Sequence, residues 1–407
     1  MKILYLHQYF LTPDMAGGTR SYEMARRLVA NGHEVHIITA LSISGKSRGW
    51  STKSIDGVNV HYANIPYSNR MGFLMRVLSF ARFALMASVK AISFKADVVF
   101  ATSTPLTICI PAIISSKLNR CPMVFEVRDL WPDVPIAMGI IKNPILKLLT
   151  RWLEKIAYAC SRRIVVLSED MKRDLLSRGI NANRVEVIPN GCDIDLFSPK
   201  NGIDEGSCAL FDAKENTKNA QVLLYPGTIG VVNGVKYLVD VAAHFSDKQN
   251  IKVVIIGDGI EREEVIDYAK SRNVFEKSFY VYAPISKNEL VSVFKSATAI
   301  VSTVIDIKEL EANSANKFFD ALAAAKPIFI NYGGWQSRVI KDNDIGLRLS
   351  RNPKEAAEAI SQCFGDDEQL RRWSMNSFLL AHRDYSRDLL AAKLEGVLLN
   401  AANVSDK

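Results

Sequence analysis

The sequence is poor in the residues that hold metals or staple extracellular folds. Its six cysteines (Cys109, Cys121, Cys160, Cys192, Cys208, Cys363) are scattered, with no C-x-x-C pair and no metal-ligand spacing. That argues against a disulfide framework or zinc ribbon and fits a reducing cytosolic compartment. No apolar run is long enough to span a bilayer. The start, MKILYLHQYFL, has one lysine and an apolar run broken by His7 and Gln8, which suits a buried first strand better than a signal peptide. Residues 71–95 contain no acid at all.

What is present is a chain of 407 residues, 48% hydrophobic and 23% charged, the profile of a soluble globular protein. That length exceeds one ordinary core, so two domains are expected. The net charge of +8 is uneven: residues 1–190 carry 25 Lys+Arg against 13 Asp+Glu, a net +12, and the remainder carries −4. The first half should face something anionic. Its cationic segments are interleaved with aliphatic bulk and lack stacking aromatics, so nucleic acid is the poorer partner and an anionic membrane surface the better one. A generally basic surface with no partner accounts for the same charge.

Strand and helix signals alternate from the start, which predicts an α/β chain with parallel sheets and right-handed crossovers. Ile3 to Leu6 is a strand. Gly17 and Gly18 precede a helix capped by Thr19 that runs to Asn31, and Arg20 falls in its first turn. A cation there opposes the helix dipole, so Arg20 is a candidate anion contact. Residues 41–57 read as a polar loop. Residues 71–95 and 144–159 read as basic amphipathic helices that either cover the sheet or lie on a membrane. The strand from Met123 delivers Arg128, Asp129 and Trp131 at its carboxyl end, where open α/β sheets place ligands. Asp129 could accept or orient a proton, or simply pair with Arg128.

The second half repeats the pattern. Gly227, Thr228 and Gly230 turn between a strand and a helix, and Gly257 and Asp258 do so again; such turns can cradle a diphosphate. Residues 313–330, NSANKFFDALAAAKPIFI, read as a helix capped by Ser314, buried through Phe318, Leu322 and Ala325, ended by Pro327 and followed by a strand. Asn316 and Lys317 lie in its first turn. Lys317 again opposes the dipole, which a bound anion or plain solvation would explain. The domain boundary is placed within 191–220.

Several motifs fall in order along nearly the whole chain: HQYF and GGTRSYEMARRLVANGHEV near the start, RDLWP at 128–132, VIPNG at 187–191, the glycine turn at 226–230, IGDG at 256–259 and the S-x-N-K and FFDALAAAKP run at 314–327. Together they resemble the GT-B glycosyltransferases of family 4, and within them the L-fucosamine (N-acetylfucosamine) transferases of bacterial O-antigen and capsule assembly. The resemblance implies two Rossmann-like doubly wound domains facing a cleft: 1–195 on the acceptor side, 196–380 binding the sugar nucleotide, and 381–407 a helix returning to the first domain. It implies donor contacts from Gly227, Thr228, Gly230, Gly257, Asp258, Tyr282, Ser314, Asn316, Lys317 and Asp320, with Asp320 on the ribose hydroxyls. It implies an acceptor side of Gly17, Gly18, Arg20 and Trp131, and catalytic roles for Lys317, Arg128 and Asp129. The donor would be a UDP-linked sugar and the acceptor a lipid-linked saccharide, with retention, no metal and no cofactor. The site would be cytoplasmic, on the inner face of the plasma membrane. Two departures stand out. Ala312 occupies the first acid position of the family's E-x7-E motif, with Glu309 and Glu311 out of register, and a basic family residue is replaced near Asn233. A UDP-sugar 2-epimerase of the same fold and a non-catalytic membrane-surface protein are the alternatives.

Overall fold

The computed structural model describes residues 1–407 apart from residues 16, 42–48, 66–70, 198–219, 247–248 and 404–407, and the side chains of 73 and 74. Cys208 and most of the 191–220 boundary region lie outside the described residues. The chain divides into two compact units: Met1–Thr12, Thr19–Pro189 and the segment from Asp388 onward form one, and Pro13–Gly18 with Asn190–Arg387 the other. Gly17 and Gly18 therefore group with the second unit.

The first unit is built on an eight-stranded sheet in the order β3-β4-β2-β1-β5-β6-β7-β8. The strands are β1 (Lys2–Leu6), β2 (Glu34–Leu41), β3 (Trp50–Ile55), β4 (Val58–Asn64), β5 (Val98–Thr102), β6 (Met123–Val127), β7 (Arg163–Val166) and β8 (Val185–Val187). All pairings are parallel except β3 with β4. Every residue of β5 and β6 is buried. Helices cover both faces of the sheet, so these strands are apolar apart from Thr102 and Glu126. The helices are α1 (Arg20–Ala30), α2 (Phe73–Ile92), α3 (Cys109–Asn119), α4 (Asp133–Ala137), α5 (Pro144–Cys160) and α6 (Glu169–Ser177).

β3 corrects the expected loop over 41–57 at residues 50–55; residues 42–48 of it lie outside the described residues. Asp56 (φ 47°) and Gly57 (φ 79°) form a tight turn that pairs Ile55 with Val58. Asp-Gly between two extended runs is a strong hairpin signal. The strand itself is hard to see because Ser51 to Ser54 are all exposed at the sheet edge, so no apolar alternation marks it.

One face of this sheet is covered by α1 and by the last helix of the chain (Arg387–Asn403), through Met24, Leu28, Leu390, Leu394 and Leu398. The other face carries α2, α3 and α5 side by side. α2 buries Phe83, Ala84, Ala87 and Ala91, and the Tyr158 ring of α5 lies 6.3 Å from that of Phe125. Each such burial contributes roughly 1.5–3 kcal/mol for a large side chain. Both helices also leave apolar residues outward: Leu78, Leu85, Val89 and Ile92 on α2, Ile145, Leu148, Leu149 and Trp152 on α5. They cover the sheet and still present an apolar outer surface.

The second unit is a six-stranded parallel sheet ordered β11-β10-β9-β12-β13-β14. Its strands are β9 (Gln221–Pro226), β10 (Ile251–Ile256), β11 (Phe279–Tyr282), β12 (Ala299–Ser302), β13 (Ile328–Ile330) and β14 (Gly346–Arg348). Its helices are α7 (Ile194–Phe197), α8 (Lys236–Ala242), α9 (Arg262–Ser271), α10 (Lys287–Ser296), α11 (Asn316–Ala323), α12 (Gly334–Asn343), α13 (Pro353–Phe364) and α14 (Asp367–Asp384). Strand order reverses between β9 and β12 here, and between β1 and β5 in the first unit. Crevices beside such reversals are where doubly wound sheets bind ligands.

Candidate active site

In the second unit the chemistry gathers at the reversal. β9 ends at Pro226, and the chain turns through Gly227 (φ 141°), Thr228, Ile229 and Gly230. A second loop, Gly257-Asp258-Gly259, locks onto that turn. Gly227 N–H donates to the Ile256 carbonyl at 2.9 Å, and Ile229 N–H to the Asp258 carbonyl at 2.9 Å. A Cβ on Gly257 would stand 1.8 Å from the Gly227 oxygen, and one on Gly259 would stand 2.1 Å from the Ile229 oxygen. These two glycines let backbone meet backbone. The Asp258 carboxylate is exposed. Gly227 spends its N–H on Ile256, whereas the N–H groups of Thr228 and Gly230 have no partner among the described residues.

α11 meets this turn. Its N-cap is Ala315, and no side chain caps it. Ser314 instead braces the Asn190 turn: its hydroxyl accepts from Asn190 N–H at 3.3 Å and its carbonyl from Asn190 Nδ2 at 2.6 Å. The helix stops at Ala323, and Ala325 turns left-handed (φ 52°) before Pro327 is reached. Phe318 and Leu322 are fully buried.

The first turn of α11 therefore offers bare N–H groups, and Lys317 stands there with its Nζ 3.5 Å from the centroid of the Tyr225 ring. A Cβ on Gly227 would come within 3.2 Å of that nitrogen, so the glycine clears the lysine's seat. No carboxylate pairs with Lys317 among the described residues, and burial lowers its pKa to about 7. A half-buried ammonium beside uncapped N–H groups is chemistry that suits an anionic ligand.

Asp320, one turn on, is engaged elsewhere. Lys287 Nζ lies 3.2 Å from its carboxylate and also contacts Asp193, which Arg387 clamps from the other side. Against the cost of burial, Arg387 and Lys287 hold Asp193 well below the usual carboxylate range, while burial pushes Asp320 up. Glu311, nearest to the vacant E-x7-E position, accepts from Gly333 N–H at 3.1 Å. It serves the turn after β13. The Asn233 carbonyl accepts from Thr303 Oγ1 at 2.7 Å. Tyr282 ends β11, and Asn316 opens α11.

In the first unit the structure corrects Arg20. Its guanidinium is fully buried, 2.7 Å from Glu126 Oε1, and it also donates to the carbonyls of Ile188 (2.8 Å) and Pro189 (2.5 Å). Thr102 Oγ1 donates to the other Glu126 oxygen at 2.6 Å. Arg20 is a structural clamp with no face left for an acceptor. The Thr19 hydroxyl makes no capping bond.

At the ends of β1, β5 and β6 the predicted polar residues do assemble. Arg128 Nη1 lies 3.3 Å from His7 Nε2, and Arg128 N–H donates to Ser103 Oγ at 3.0 Å. Thr104 Oγ1 donates to Asp129 Oδ2 at 2.9 Å. Burial, reinforced by Arg128, holds His7 well below its ordinary pKa. His7 is therefore a neutral acceptor for the guanidinium. Trp131 is half-buried. Among the described residues no group of His, Cys, Asp and Glu side chains could hold a metal ion.

Comparison with known proteins bears on this arrangement. The Glycosyl transferase 4-like domain family matches residues 16–191, and Glycosyl transferases group 1 matches residues 209–378. The chain is a glycosyltransferase of GT-B fold. It is 23% identical over 295 residues to WcaI of Escherichia coli K12, whose name assigns it provisionally to colanic acid biosynthesis as a glycosyl transferase; the match covers 69% of this chain and 71% of that protein. It is 29% identical over 126 residues to the Escherichia coli UDP-Gal:alpha-D-GlcNAc-diphosphoundecaprenol alpha-1,3-galactosyltransferase, covering 29% of this chain and 31% of that enzyme. The crystal structure of Anabaena HepE in complex with UDP and glucose aligns with a TM-score of 0.70 at 16% identity, over 98% of this glycosyltransferase and 99% of HepE. That last likeness is one of fold.

Proposed function

We propose that this glycosyltransferase moves a sugar, N-acetyl-L-fucosamine on the motif resemblance, from a UDP-linked donor to a saccharide carried on a lipid diphosphate during bacterial surface polysaccharide synthesis. The observation that carries the donor half is Lys317, a cation with no carboxylate partner among the described residues, beside the N–H groups of Thr228, Gly230 and the α11 terminus, which have no partner among them either. A diphosphate completes that site, and its negative charge grows as the sugar–phosphate bond breaks, so the same groups bind the departing nucleotide more tightly than the intact donor. In this reading the acceptor hydroxyl attacks the anomeric carbon from the face the diphosphate leaves. Its proton passes to the departing phosphate oxygen, and the configuration is retained. Arg128 and Asp129, held by His7, Ser103 and Thr104, orient the acceptor. The named activity of the galactosyltransferase relative supports a diphospholipid acceptor, and the UDP held by HepE supports the nucleotide.

The membrane part of the proposal rests on the outer face of α2, α3 and α5. No helix among the described residues is long and apolar enough to cross a membrane. The exposed stripes on α2 and α5 alternate with Arg76, Arg82 and Lys90, and with Lys147, Arg151 and Lys155. Such a face suits the interface of an anionic leaflet, each cation adding roughly 1 kcal/mol near the surface. We place the enzyme on the cytoplasmic face of the plasma membrane. A thermal-shift panel of UDP-, GDP- and TDP-sugars tests the donor: stabilisation by the UDP series is expected, and stabilisation by none sinks the donor reading. Flotation with anionic liposomes tests the surface, and absence of binding at low salt removes it.

A further inference from the structure

The anion seat has two halves, the 226–230 turn and Lys317, and one side chain touches both. Tyr225 is the residue before the last of β9 and is fully buried. Its hydroxyl donates to the Thr228 carbonyl at 2.8 Å, and its ring lies under the Lys317 ammonium at 3.5 Å. Burial pushes the Tyr225 hydroxyl far above its ordinary pKa, so it remains a neutral donor at working pH. With no carboxylate on Lys317 among the described residues, the negative face of this ring is the electrostatic support they supply to the ammonium. The Thr228 carbonyl points into the tyrosine, which fixes the direction of the neighbouring peptide units and hence of the free N–H groups.

We propose that Tyr225 is the positioning residue of the donor site: its ring holds the Lys317 ammonium in register while the diphosphate is absent, and its hydroxyl holds the turn that meets the other side of that diphosphate. This rests on the donor-site reading of Lys317. The ring and hydroxyl do separable work. Tyr225→Phe keeps the ring and frees the Thr228 carbonyl. Tyr225→Met keeps comparable apolar bulk and removes both. Burial is what depresses Lys317, and Tyr332 is the titratable group that influences Tyr225, so these are the groups a pH series reads.

The experiment is UDP binding by calorimetry at pH 6, 7 and 8.5 for wild type, Lys317→Ala, Tyr225→Phe and Tyr225→Met. Lys317→Ala is expected to lose about 100-fold in affinity, the scale of one charge-assisted contact to a phosphate. Tyr225→Phe should bind several-fold more weakly at every pH with an unchanged pH profile. Tyr225→Met should lose about tenfold more at pH 8.5 than at pH 6, because without the ring the ammonium gives up its proton sooner. Wild-type affinity in Tyr225→Phe, or a wild-type pH profile in Tyr225→Met, overturns the proposal. If the methionine variant does not fold, stepwise fluorinated phenylalanines at 225 drain the ring face while keeping its shape and give the same reading. UDP binding by Lys317→Ala equal to wild type would instead refute the donor-site reading itself, whatever the Tyr225 variants do.

Discussion

Arg20 and Lys317 begin as the same observation. Each is a cation in the first turn of a helix, placed against the helix dipole. The structure gives them opposite fates. Arg20 is fully buried and has an internal anion, Glu126, at 2.7 Å. Lys317 has an aromatic face and no anion among the described residues. A badly placed cation therefore announces only that an anion is needed. Whether the chain supplies it decides between a structural clamp and a binding site, and that depends on a residue 106 positions away for Arg20.

The largest effect should come from breaking the clamp. Arg20→Met leaves Glu126 charged and buried, which costs about 3–5 kcal/mol of stability. Pairing it with Glu126→Leu should recover most of that, because the burial cost disappears with both charges. Urea unfolding of the single and double variants measures this. A stable Arg20→Met protein without transferase activity would break the contrast and return Arg20 to the acceptor side.

Lys317→Ala should do the reverse: no loss in unfolding midpoint, and a fall of about 10²–10³-fold in kcat/KM for the nucleotide sugar. Removing an unpaired buried ammonium relieves a desolvation cost, so the variant should be at least as stable at pH 7 and below. Steady-state kinetics beside a melting curve check both halves.

The proton ledger of Lys317 sharpens the contrast further. Its pKa of about 7 in the free protein lies below the ordinary lysine value, so the free enzyme loses this charge as pH rises through 7. A bound diphosphate favours the charged form, and binding above pH 7 must take up a proton. UDP affinity should therefore be flat below pH 6.5 and fall about tenfold per pH unit above 7, until the pKa of the complex is reached. Calorimetry in buffers of different ionisation enthalpy counts the proton. Lys317→Arg should bind with little pH dependence, since arginine stays charged throughout.

Much of the fold was legible because helix and strand periods alternate cleanly: β1, β6, β9, β10, α2 and α5 all sit within a few residues of their expected places. β3 was not, because an exposed edge strand needs no apolar face. At the site, the 226–230 turn could be read as a candidate because its glycines stand between a strand and a helix, and Lys317 because a cation falls in a helix's first turn; that the two meet could not be read, because they lie far apart in the chain. Glu126 and Tyr225 could not be given their partners. Nothing local to a strand residue says which distant side chain it will meet across the sheet. That Gly257 and Gly259 must lack side chains could not be read either, because the reason is the approach of the Gly227 and Ile229 carbonyls from another loop. Ser314 reads as a cap because it precedes a helix-forming run, yet its hydroxyl serves Asn190.

Ser286 provides the smallest effect and a reference for both cations. It caps α10 through Glu289 N–H at 3.3 Å, and the Glu289 carboxylate returns to Ser286 N–H at 2.9 Å. This helix start satisfies its own donors and carries the negative charge that the dipole favours. Ser286→Ala should cost about 1 kcal/mol of stability and leave UDP affinity unchanged. If α11 were merely another helix start, Ala315→Ser would restore an ordinary cap and stabilise the protein by a similar amount with UDP affinity intact. If its bare N–H groups serve the diphosphate, the same substitution should stabilise the free protein while weakening UDP, because the new hydroxyl occupies a donor the nucleotide needs. Unfolding midpoints and UDP titrations of these two serine variants decide between the two outcomes.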